Sequence, residues 1–151
     1  MATQTTRDIL DKARLFHRQM FAFYEALKDR MDQPRILLIL DYLCRHEERM
    51  SAALKTYEHQ AAESVMNALF RFTLDLSVES FLRSVPAGPD LSLNDLMRIA
   101  IQLENYLIHL YRQAVAHAVS EDVKNVFEHL LNETLKDRSH LSLALVDMQD
   151  L

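Results

Sequence analysis

Four stretches of this chain repeat apolar residues at alternating intervals of three and four, the spacing that lines one face of an α-helix. The first runs Leu10, Ala13, His17, Met20, Tyr24, Leu27, Met31, and the second Ile36, Leu40, Leu43, Glu47, Met50, Leu54, Tyr57, Ala61. The third is Met97, Ala100, Glu104, Leu107, Tyr111, Ala114, and the fourth Phe127, Leu130, Thr134, Asp137, Leu141, Ala144, Met148. Four helices that each carry one apolar face bury those faces against one another, so the expected fold is all-α, a four-helix bundle. One Gly and three Pro in 151 residues leave few places for a turn, which agrees with long helices. A chain of that length is expected to form a single domain, 1–151, whose core needs neither disulfide nor structural metal.

Local signals mark the helix ends. Thr5 with Asp8 and Ser92 with Asp95 have capping-box spacing, and Ser120 precedes Glu121 and Asp122 at a third start. Pro34 suits the first turn of the second helix. These ends predict a helical hairpin over 5–60 and another over 92–148, joined by a crossover over 61–91. Within the crossover "FRFTLDLSV" alternates, with Phe70, Phe72, Leu74, Leu76 and Val78 on one side. Period two predicts an extended segment lying on apolar surface, with a helix as the alternative. Either form carries the chain from one end of the bundle to the other, so the second and third helices run parallel. The halves also match at an offset of 87 residues: Ala13 with Ala100, Tyr24 with Tyr111, Leu40 with Phe127, Leu54 with Leu141.

Each apolar seam is interrupted midway. His17 interrupts the first, Glu47 the second with Met50 a turn later, Glu104 the third, and Thr134 and Asp137 the fourth. A polar group buried in a bundle is costly unless paired, so the interruptions need a reason. The repeat register pairs His17 with Glu104, Glu47 with Thr134 and Met50 with Asp137, which predicts that they converge at one level.

The layout resembles the ferritin-like superfamily and, within it, the small rubrerythrin-like proteins. The resemblance covers residues 8–60 and 93–148. "FHRQMFAFYEAL" and "QLENYLIHLYRQA" are similar to the family's first and third helices, with a Tyr seven residues after each ligand position, and "LCRHEERM" and "LLNETLKD" stand at the other two ligand positions. The resemblance implies a Glu from the first helix of each hairpin and a Glu-x-x-His from the second, together holding two iron or manganese ions. This chain offers His17, Glu47, Met50, Glu104, Thr134 and Asp137 instead. Only Glu47 and Glu104 keep the ligand type. Met50 is a soft thioether, poorly suited to hard ions, and Thr134 is weaker still. Asp137 and His140 also stand three apart, but that registration requires an inserted turn in the second half.

Two functions compete. The preferred one is a helical module whose di-metal site has degenerated. There His17, Glu47, Glu104 and Asp137 satisfy one another, no cofactor is bound, no residue is catalytic, and the protein acts through its surface. Phe16, Phe21, Phe23, Phe70, Phe72 and Phe81 exceed what one small core plainly needs, which predicts a homodimer or a protein partner. The alternative is a non-haem metal protein with redox or iron-handling activity, using those four residues to hold iron or manganese.

Other classes lack support. A net charge of −5 without basic runs argues against nucleic-acid and membrane partners. The N-terminal residues hold no apolar signal-like run, so a cytoplasmic protein is expected. Cys44 is the only cysteine, which excludes an intrachain disulfide and predicts a small buried hydrophobe. Tyr24 and Tyr111 are expected as core tyrosines. His46, His59, His109, His117 and His129 share no ligand spacing and are expected at the surface or flanks.

Overall fold

Thr5 caps the first helix reciprocally with Asp8: the Asp8 amide donates to Thr5 Oγ1 at 3.1 Å and the Thr5 amide to Asp8 Oδ2 at 2.9 Å. The computed structural model describes residues 3–71, 78–85 and 90–149. In chain order these form β1 (Gln4–Thr5), α1 (Thr6–Lys28), α2 (Pro34–Gln60), α3 (Glu63–Met66), β2 (Leu69–Phe70), α4 (Glu79–Ser84), α5 (Leu93–Ala116) and α6 (Glu121–Gln149). Pro34 opens α2, where its missing N–H and fixed φ cost nothing. Ser92 and Asp95 form the second capping box, at 3.1 Å in both directions. At the start of α6 the Val123 amide donates to Ser120 Oγ at 3.3 Å.

Short loops fold α1 onto α2 and α5 onto α6, so the architecture is two helical hairpins joined by a crossover. Shifted by 87 residues, the starts of α1 and α2 at 6 and 34 fall on the starts of α5 and α6 at 93 and 121. The halves therefore share one frame, and residues paired by that frame stand at matching levels. Lys28 and Asp41 bridge α1 to α2 at 2.6 Å, and Arg14 reaches Glu58 at 3.2 Å further along.

The core runs the length of the bundle through Leu10, Met20 and Tyr24 of α1, Ile36 and Leu40 of α2, Leu96, Leu103 and Tyr111 of α5, and Phe127, Leu141 and Leu145 of α6. The expected seam of α1 holds from Leu10 to Met31, and the others drift in places. Leu96 takes the buried place expected of Met97, and Leu145 the place expected of Ala144. An ideal helix rotates slightly against a three-four repeat, so a seam drawn too long leaves the core. Cys44 is buried, as expected, and burial pushes its thiol up to about 12.

The crossover is neither one strand nor one helix. Its described part contains α3, β2 and α4, and β2 pairs antiparallel with β1 through Gln4–Phe70 and Thr5–Leu69. Phe70 and Val78 are buried as the alternation predicted, while residues 72–77 of that stretch lie outside the described residues. Phe16 and Phe70 are core residues, and Phe21, Phe23 and Phe81 pack partly buried against the core. Their apolar area is largely used inside the chain; Phe72 lies outside the described residues. No described helix is long and apolar enough to cross a membrane.

Candidate metal centre

Polar side chains from the four long helices meet in the middle of the bundle. His17 comes from α1, His46 and Glu47 from α2, Glu104 from α5 and Thr134 from α6, and all five are buried. Pairing offsets the cost of burying them. His17 Nδ1 stands 2.5 Å from Glu47 Oε2, and His46 Nε2 donates to Glu104 Oε1 at 3.1 Å. Thr134 Oγ1 donates to its own helix, to the Leu130 carbonyl at 2.7 Å. One ligand atom from each of His46, Glu47 and Glu104 lies within 4.8 Å of the other two.

The protonation pattern follows from burial and from the closeness of two carboxylates. Burial pushes the Glu47 carboxyl well above its usual range, and the Glu104 charge pushes the same way. Burial lowers the His17 imidazole to about 4, with His46 adding to the fall and Glu104 and Asp137 opposing it. Both shifts act the same way and favour the neutral forms of the pair, with the proton on the Glu47 carboxyl. Burial alone would also lower His46, but its hydrogen bond to Glu104 and the charges of Glu47, Glu104 and Asp137 outweigh it, and its pKa is raised. Burial raises the Tyr24 and Tyr111 hydroxyls, reinforced by nearby carboxylates, so both keep their protons as core tyrosines.

Three expected candidates, His17, Glu47 and Glu104, are brought together. Asp137 is half-buried and stands at the edge of the cluster, its carboxyl raised by burial and by Glu104 and Glu133 against the opposing charges of His46 and His140. Met50 is half-buried, and His140 is exposed. His46, expected at the surface, is 6 % exposed and sits inside the cluster. A signal for it exists: Ile39, Leu43, His46 and Met50 form a second three-four line beside the first. A core-facing stripe is wide enough for both.

A cavity of about 510 Å³ opens beside α2 and α6 and reaches His17, His46, Tyr111, Thr134 and Asp137. A smaller one of about 340 Å³ reaches His17 and Glu47 from the α1–α2 side, past Arg18 and Lys55. The two cavities thus reach the edge of the buried centre from opposite sides of α2.

The donor chemistry suits one divalent ion. One imidazole and two carboxylates are a common set for iron, manganese or zinc, with the remaining positions left to other ligands. Displacing the proton of Glu47 and that of His46 leaves two negative charges, which match the ion's charge. The Thr134 hydroxyl is turned to its own backbone, and Met50 is a thioether.

No family model matches the sequence, and no curated protein matches it. One solved structure is similar over nearly the whole of both chains: the crystal structure of a candidate ferritin-like diiron-carboxylate protein from Thermotoga maritima. The similarity covers 99 % of this chain and 97 % of that one, with a TM-score of 0.63 and 18 % identity. At that identity the likeness is one of architecture, and it agrees with the two hairpins and the crossover: this chain has the ferritin-like fold.

Proposed function

We propose that this is a metal-binding ferritin-like protein holding one divalent iron or manganese ion through His46, Glu47 and Glu104, with His17 beside them. The observation that carries this reading is the buried triad whose ligand atoms lie within 4.8 Å of one another. As a two-ion centre the site is degenerate, since among the described residues only two carboxylates, Glu47 and Glu104, are fully buried and the fourth helix brings a hydroxyl. A bound ion of this kind supplies Lewis acidity and one-electron chemistry. The chain's part is to hold it away from bulk water. His17 fixes the Glu47 carboxyl group by their short contact, and the buried Tyr24 and Tyr111 hydroxyls keep their own protons.

One observation favours a second reading, a helical module that acts without metal or catalysis. Each buried carboxylate already has an imidazole partner, so the network is satisfied as it stands.

Metal analysis separates the two. Protein purified without chelator and reconstituted with iron(II) or manganese(II) should carry one ion per chain. Glu47→Ala and Glu104→Ala should abolish the stoichiometric ion while retaining helical content. Folded wild-type protein that takes up neither metal would leave the second reading.

A further inference from the structure

The larger cavity extends well beyond the metal-ligand cluster. At about 510 Å³ it has the size of a small-organic-molecule site. Its outer walls are apolar and aromatic: Met50, Leu54, Leu130 and Tyr57 line it, and Tyr57 lies nearly parallel to His129 with ring centroids 6.0 Å apart and planes 20° apart. A flat ring pair at a cavity wall offers a face on which another ring stacks.

The charged lining is mixed. Arg49 is set against Glu133 and Asp137, so an anion and a cation each meet a like charge as well as an opposite one. The carboxylates of Glu133 and Asp137 are acceptors, and the Thr134 hydroxyl donor is already spent on Leu130. A ligand suited to this wall therefore brings its own donors.

We propose that this cavity binds an uncharged, planar aromatic molecule carrying hydroxyl or amide donors, with its ring against Tyr57 and its donors toward Glu133, one helical turn from His129. The inference goes beyond the metal reading and does not depend on it, because the ring pair and the mixed charges belong to the outer cavity.

The test is calorimetric titration of the full chain, in chelator, with 4-hydroxybenzamide. Three comparison probes are its saturated cyclohexane analogue, the anion 4-hydroxybenzoate and the cation 4-hydroxybenzylammonium. The aromatic amide should bind about ten-fold more tightly than each comparison, the effect of one stacking contact or one unpaired charge. Ala53→Trp, which fills the cavity from an exposed position on α2, and Tyr57→Leu, which removes the stacking face, should each weaken it by about ten-fold. Metal content and thermal midpoint are measured on the same variants to show that fold and metal site are intact. Equal binding of the saturated analogue, tighter binding of either ion, unchanged binding in Ala53→Trp, or no binding at millimolar probe would overturn the proposal. Probe binding by a protein that takes up no metal supports it and refutes the metal reading alone.

Discussion

His46 on α2 and Glu104 on α5 meet at 3.1 Å and join the two hairpins through their interior. Burial lowers the His46 pKa, but the hydrogen bond to Glu104 and the nearby carboxylates outweigh it, so the buried contact favours a charged imidazole. Breaking such a pair costs far more than weakening it. In metal-free protein, Glu104→Gln should lower stability by about 1–3 kcal/mol, since an amide still accepts the bond without the charge. Glu104→Ala should cost about 3–5 kcal/mol by stranding His46. Urea unfolding in chelator measures both, and equal losses would mean that the pair does not join the hairpins as described.

The pH dependence of metal-free protein has a defined sign. Folded Glu47 and His46 retain protons above their ordinary values of 4.5 and 6.5, so their stabilisation is present below those values and lost as pH rises through the folded pKa of each. His17, lowered to about 4, acts oppositely: its contribution is present above 6.5 and lost as pH falls toward 4. Between 4.5 and 6.5 the Glu47 and His17 effects oppose each other. The thermal midpoint in chelator should therefore change little in that window and fall on the alkaline side. With manganese(II) present the alkaline fall should shrink or reverse, because the ion replaces those protons. A midpoint that climbs with pH in chelator would contradict the protonation pattern.

Phe127 connects the crossover to the centre. It packs edge-on to Phe70 of β2 at 5.6 Å and against Tyr111 at 6.3 Å. Phe127→Ala should destabilise by about 3–5 kcal/mol and speed amide exchange in the β1–β2 pair. Leu143→Ala, on the outer face of α6 at 65 % exposure, should stay within about 0.5 kcal/mol. Denaturant midpoints and exchange rates at Thr6, whose amide donates to the Ala68 carbonyl, provide the check.

The parts of this fold that obey local rules were readable in the sequence. Thr5 with Asp8 and Ser92 with Asp95 named two helix starts correctly, because a capping box is settled within four residues. The shared frame of the halves placed His17, Glu47 and Glu104 at one level. What it could not supply was partnership. Which imidazole meets which carboxylate depends on rotamers and on how the hairpins are rotated about each other, and neither leaves a trace in spacing. His46 was missed because a seam drawn as a single line is narrower than a buried helix face. Asp137 was drawn too deep for the converse reason: α6 stands beside the cavity there, and the residue is left at its edge. The crossover was hardest, since its short elements are fixed by contacts with α1 and β1 rather than by their own periodicity.

The centre is unevenly divided between the duplicated halves. His17, His46 and Glu47 all belong to the first hairpin, and Glu104 alone crosses from the second. A small parting of the hairpins would detach Glu104 and leave His46 and Glu47 in place, so a bound ion would be exchanged by breathing at a single seam without unfolding either half.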